Sequence, residues 1–109
     1  MANCSKRETV VRGSDFRLRV HITNLGENIH LSDQNVSLVC TLRVRDTSLV
    51  KEKAELTQVD ADTYIMAVST ANLAKGDVYL ETHTGVPDIA FQDGVRDEIV
   101  NTDTGVTII

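Results

Sequence analysis

The sequence predicts an all-β protein, an antiparallel sandwich of about seven strands. The first observation is alternation: in residues 36–44 every second residue is apolar, which is typical of a strand with one buried face. The second is that residues 16–22 alternate in the same way. The third is the regular recurrence of turn signals along the chain. Because half-buried strands need a second layer to cover them, this pattern predicts two packed sheets.

The predicted elements follow one another with short polar turns between them. Turn residues such as Gly, Asn and Asp separate the strands. Lys51 and Lys53 predict that their strand lies at a sheet edge. Thr70 is expected to cap one helical turn that ends at Gly76. The predicted strands are residues 9–12, 16–22, 36–44, 49–59, 63–69, 77–82 and 95–100, with a last short one at 106–109.

Length and charge predict one domain with an uneven charge distribution. Residues 1–8 are expected to form a flexible arm and residues 9–109 a single sandwich. The net charge of -5 argues against a general nucleic-acid binder. Residues 1–54 carry nine Lys or Arg and six Asp or Glu, whereas residues 55–109 carry two and ten. This polarity predicts a basic patch and an acidic patch, one of which would complement the opposite patch on a neighbouring copy or a partner.

The N-terminal residues contain no apolar run that would act as a signal peptide. No window approaches the roughly 18 apolar residues that cross a membrane. We therefore expect a protein made in the cytoplasm, neither secreted nor bound to a membrane. Cys4 and Cys40 are then expected to be reduced thiols, Cys40 in the core and Cys4 in the arm.

No motif specifies a catalytic or cofactor site, and the sequence predicts neither an enzyme nor a bound cofactor. Ser14, between Gly13 and Asp15, lacks the surroundings of a nucleophile elbow. The three histidines are far apart and have no zinc-site spacing. Several carboxylates have the oxygen chemistry of a Ca²⁺ site but not EF-hand spacing, and Asp is also a routine turn residue. These carboxylates are Asp60, Asp62, Asp88, Asp93, Asp97 and Glu98.

The sharpest polar feature is a basic stripe formed by Arg17, Arg19 and His21, opposite the apolar face of their strand. Arg43 and Arg45 are predicted to lie beside it. Both a solvated outer face and a contact surface for an acidic partner fit this stripe. It has no interleaved aromatic residues, which counts against single-stranded nucleic acid and sugar ligands.

The chain ends on apolar residues, an unusual composition for a terminus. The last strand either closes the sheet of its own domain or adds to an edge of another subunit. We expect closure, and keep strand exchange as the alternative. The candidate interface residues are thus Arg17, Arg19, His21, Arg43, Arg45, Val106, Ile108 and Ile109.

A family resemblance rests on residues 13–18 (GSDFRL), Leu31-Ser32 and residues 73–81 (LAKGDVYLE). The ending, with FQDGVRDEI at 91–99 and DTGV at 103–106, belongs to the same pattern. These segments resemble immunoglobulin-like β-sandwich modules of phage virion proteins. Such modules include the N-terminal domains of upper-baseplate proteins and small head-fibre or adaptor proteins of crAss-like Bacteroides phages.

The resemblance implies a virion structural protein that has no catalytic residues. Its partners would be other virion proteins, and a symmetric dimer is the commonest homo-oligomer. No receptor-binding domain follows the module in this sequence. The alternative is a stand-alone bacterial immunoglobulin-like domain that binds a surface glycan or protein. Such a domain would normally carry a secretion signal and a stacking aromatic residue.

Overall fold

A computed structural model describes residues 7–109 of the chain, which form strands over most of their length. One short 3-10 helix, Lys53–Glu55, interrupts the strands of this range. The strands are β1 (Glu8–Val10), β2 (Asp15–His21), β3 (Ser37–Val44), β4 (Thr47–Glu52), β5 (Thr57–Asp60), β6 (Thr63–Ser69), β7 (Gly76–Pro87) and β8 (Val95–Ile108).

The eight strands form two sheets that pack face to face. The larger sheet has five strands in the order β1-β8-β7-β3-β4, and the smaller has three in the order β2-β6-β5. Every neighbouring pair is antiparallel except β1 and β8, which are parallel. The predicted all-β immunoglobulin-like sandwich is therefore confirmed, with one parallel pair that the sequence did not predict.

The apolar face of β3 lies in the core, as its alternation predicts. Leu38, Cys40, Leu42 and Val44 are all at most 2% exposed, whereas Arg43 is exposed. Buried side chains from β2, β6, β7 and β8 pack against them and complete one aliphatic core. Burial of these side chains is the main term that holds the two sheets together.

Two of the predicted elements differ from those observed. Residues 49–59 are not one strand, because the 3-10 helix separates β4 from β5 and the two strands join different sheets. Each of them lies at a sheet edge, as the lysines predict. The helical turn expected after Thr70 is a simple turn, in which the Leu73 amide donates to the Thr70 carbonyl at 3.0 Å.

The C-terminal region is one long strand rather than two short ones. β8 pairs with β7 along nearly its whole length, from Val95 opposite Pro87 to Ile108 opposite Gly76. The register shifts near Gly105, which has a φ of 77°. This β-bulge allows β8 to continue through a polar stretch that would otherwise read as a turn.

The irregular segment between β2 and β3 closes one end of the sandwich. Its carbonyl groups lack a sheet ladder, so side chains satisfy them. The Lys53 ammonium donates to the carbonyls of Leu31 (3.0 Å), Asp33 (2.9 Å) and Val36. Desolvation lowers the pKa of Lys53. The cation therefore acts as a structural cap for this segment.

The predicted arm falls largely outside the described residues, since residues 1–6, including Cys4, are not among them. The last two arm residues belong to the folded part. Glu8 begins β1, and the Arg7 guanidinium donates to both carboxylate oxygens of Asp103 at 2.8 and 2.9 Å. Within residues 7–109, no helix is long and apolar enough to cross a membrane.

Candidate functional site

The basic stripe lies on the outer face of the three-stranded sheet, where its alternation predicts it. Arg17, Arg19 and His21 are exposed, while Leu18 and Val20 point towards the core. None of the ion pairs within residues 7–109 involves Arg17 or Arg19. Two solvated guanidinium groups are thus aligned on one strand.

Arg43 and Arg45 do not lie beside this stripe, and that part of the prediction is wrong. β3 belongs to the five-stranded sheet, so Arg43 points out from the opposite side of the sandwich. It lies 3.7 Å from Glu81, and the Arg45 guanidinium donates to the Lys75 carbonyl at 2.6 Å. Alternation tells which residues face outward, but it does not tell which sheet a strand joins.

The apolar C-terminal residues close their own sheet. Val106 and Ile108 are buried in β8, between β7 and β1. Ile109 is half exposed, but its amide donates to the Val10 carbonyl and its carbonyl accepts the Arg12 amide, both at 2.9 Å. In this fold the terminal strand is an integral part of the domain.

The loop between β7 and β8, residues 88–94, has a well-defined internal structure. The Asp88 amide donates to the Gly94 carbonyl, and the Gly94 amide donates to the Phe91 carbonyl, both at 2.9 Å. The Asp88 carboxylate accepts the Ala90 amide at 3.0 Å. These bonds within the loop favour one conformation.

This loop exposes two large apolar side chains. Ile89 is fully exposed and Phe91 is 47% exposed. The Arg96 guanidinium lies 3.7 Å from the Asp88 carboxylate and also donates to the Leu25 carbonyl, which ties the base of the loop to the sandwich. We call residues 88–94 the hairpin tip. It is an internally hydrogen-bonded loop that exposes two large apolar side chains.

A groove of about 520 Å³ opens between β2 and the β7–β8 hairpin. In its floor, Thr82 is opposite Val100 and Leu80 is opposite Thr102, so these side chains share the inner face of the large sheet. Val100 is nevertheless 45% exposed, because the small sheet ends at β2 and does not cover β8. Leu18 contributes to the opposite wall.

The rim of the groove is the outer edge of β2, the last described strand of the small sheet. At the ends of the β2–β6 ladder, the Ile22 amide donates to the Asp62 carbonyl (3.1 Å) and the Thr70 amide donates to the Ser14 carbonyl (3.3 Å). Even-numbered residues of β2 therefore face β6. Since backbone groups alternate in direction along a strand, those of Arg19 and the other odd-numbered residues point towards the groove. Within residues 7–109, no strand pairs with that edge.

The histidines make separate contacts. His21 Nδ1 lies 2.8 Å from the Thr63 hydroxyl oxygen, and His83 Nε2 lies 2.9 Å from the Asp97 carboxylate. His30 Nδ1 lies 3.2 Å from Asp62. Across the described part of the chain, no three His, Cys, Asp or Glu side chains come together as a metal site.

The Asp60–Asp62 turn uses its carboxylates for local structure. Asp60 accepts the Asp62 amide at 2.9 Å, and this bond, with the Thr63 hydroxyl, lowers the pKa of Asp60. Asp62 in turn accepts the Leu31 amide at 3.3 Å.

In the core, burial raises the pKa of the Cys40 thiol to about 11. A thiol with such a pKa remains protonated and is a poor nucleophile.

Sequence reasoning missed the hairpin tip and the groove. For the tip a signal existed, because Ile89 and Phe91 stand among the turn residues Pro87, Asp88 and Gly94. Large apolar residues inside a turn have no buried face to join. For the groove there was no local signal, because it depends on where the small sheet ends.

No protein-family model matches the sequence, and comparisons with curated proteins and with solved structures also give no match.

Proposed function

We propose that this chain is a virion structural subunit, a small head-fibre, capsid-associated or baseplate adaptor protein that acts by protein–protein assembly. The observation that supports assembly is the hairpin tip, which places Ile89 and Phe91 in solvent on an internally bonded loop. Apolar residues on a rigid support are typical binding anchors, because little conformational freedom is lost when they are buried. The phage context rests on the resemblance described above.

The charges around the tip indicate the chemistry of its partner. Asp88 is engaged by the Ala90 amide and by Arg96, whereas Asp93 is exposed. The complementary surface would be an apolar pocket with a basic rim. The pocket would belong to another virion protein. The chain itself is proposed to form a symmetric dimer.

The test begins with the genes next to the one that encodes this chain. We expect them to encode portal, capsid or fibre proteins, and sugar-utilisation genes would contradict the virion role. Each neighbouring product is then co-expressed with the chain, and complex formation is measured by size-exclusion chromatography with light scattering. A complex with one of these virion proteins is the expected result.

The contribution of the tip is measured on that complex. The double substitution Ile89→Ser with Phe91→Ser should weaken binding by about 2 kcal/mol or more, roughly thirtyfold, if both residues are anchors. Val59→Ser is the control, because Val59 is a 55% exposed apolar residue on β5, outside the tip. Equal affinity of the tip variant and the control would overturn the role of the tip.

A further inference from the structure

We infer that the groove between β2 and β8 receives an extended segment of a partner protein, in which apolar residues alternate with Asp or Glu. The segment would add a fourth strand to the three-stranded sheet. The inference rests on the groove and on the edge of β2; it does not depend on the hairpin tip or on the virion context.

The difference in width between the two sheets provides the space. The large sheet presents five strands and the small sheet three, and β2 is the last strand of the small sheet on the side of β8. The floor beyond β2 includes Thr82, Glu98, Val100 and Thr102, which lie on the inner face and are not covered by any strand of residues 7–109. One further strand beside β2 would cover this floor.

The edge of β2 provides the backbone partners. The amide and carbonyl groups of odd-numbered residues, such as Arg17 and Arg19, point towards the groove, as the bonds at both ends of the β2–β6 ladder establish. An unpaired edge binds an extended peptide by continuing the ladder. β2 has seven residues, so the bound segment would be about seven residues, or roughly 23 Å, long.

The two faces of β2 determine the sequence of the segment. Side chains that point inward next to Leu18 would lie over Val100, so apolar residues are favoured at those positions, whereas Glu98 lies farther along the floor, opposite Thr84. Side chains that point outward would lie beside Arg17 and Arg19, which make no ion pair in the described structure. Opposite charges across neighbouring strands are favourable, so acidic residues are preferred at the alternate positions.

The experiment uses a library of random nonapeptides selected against the purified full chain. We expect the enriched peptides to alternate apolar residues with Asp or Glu. A synthetic copy of the most enriched peptide, labelled with a fluorophore, then gives dissociation constants by fluorescence anisotropy. Failure to enrich any peptide, or enrichment of peptides without this alternation, would overturn the inference.

Four variants locate the binding site, and circular dichroism verifies that each is folded. Val100→Arg places a charge on the groove floor and should weaken binding at least tenfold. Ile99→Arg is its control, because Ile99 is exposed on the opposite face of the same strand; its affinity should not change. Equal affinities of these two variants would place the peptide outside the groove.

The other two variants separate the contribution of the β2 backbone to binding from the contribution of the Arg19 charge. Arg19→Pro removes an amide that points to the groove and leaves the β6 ladder intact, so binding should fall at least tenfold. Arg19→Gln keeps the amide, so it should weaken binding by only a few-fold. If the two variants lost affinity equally, strand addition would be wrong. If the free chain were a dimer that Val100→Arg dissociates, the occupant would be a second copy, which also contradicts the inference.

Discussion

Within residues 7–109, strand β8 has neighbours on both edges at its C-terminal end but only β7 beside its middle; we call these its covered part and its open part. Ile108 also has β1 beside it and is 1% exposed. Val100, earlier in the same strand and on the same inner face, is 45% exposed, and no strand of residues 7–109 pairs with that part on its other edge. Two apolar residues on the same face of one ladder therefore have two environments. What lies next to the strand decides burial here, rather than apolar character.

The largest expected effect comes from truncating the covered residue. Ile108→Ala should lower the free energy of unfolding by about 2–5 kcal/mol, because it removes buried methyl groups and leaves a cavity. Val100→Ala truncates an inner-face residue in the open part and should lower it by less than about 1 kcal/mol. Urea unfolding followed by circular dichroism measures both. Equal losses of unfolding free energy in the two variants would contradict the difference between the two parts of β8.

A smaller loss of stability is expected when the ion pair that holds β1 against the covered end of β8 is removed. The Arg7 guanidinium bonds to both oxygens of Asp103, and this contact lowers the pKa of the Asp103 carboxyl. A carboxyl whose pKa is lower in the folded state stabilises the fold above its unfolded pKa. That stabilisation is lost as the pH falls through the folded pKa, that is, below about pH 4.

The Asp103→Asn variant tests this linkage. At pH 7 its melting temperature should be below that of the wild type, and the gap should narrow between pH 4 and pH 2. Thermal melts of both proteins across this range provide the measurement. A gap that stayed constant down to pH 2 would show that the carboxylate charge does not hold β1 in place.

The sequence predicts those parts of the fold that depend on local alternation. β6 has the predicted bounds, residues 63–69, and β3 buries the predicted face. The middle of β8 was not predicted, because Asn101, Thr102, Asp103 and Thr104 read as a turn. That stretch is a strand because β7 pairs with it, and pairing between distant segments leaves no local pattern.

The candidate binding surfaces also divide into those that local alternation predicts and those that it does not. Arg17 and Arg19 point outward as alternation predicts, whereas Arg43 lies on the other sheet. The hairpin tip depends on hydrogen bonds inside one loop, and the groove depends on the end of the small sheet. The hairpin tip and the groove are the two proposed binding surfaces. A protein proposed to join two partners needs two such surfaces.

Amide hydrogen exchange measured by NMR tests the central claim, that β2 and the middle of β8 are open in the free chain. The account predicts alternating exchange along β2: slow for Leu18 and Val20, which face β6, and fast for Arg17 and Arg19, which face the groove. Continuous protection is expected at residues 106–108, where β8 has neighbours on both edges. Slow exchange at both Arg17 and Arg19 would mean that another strand already covers the edge, and would contradict the account.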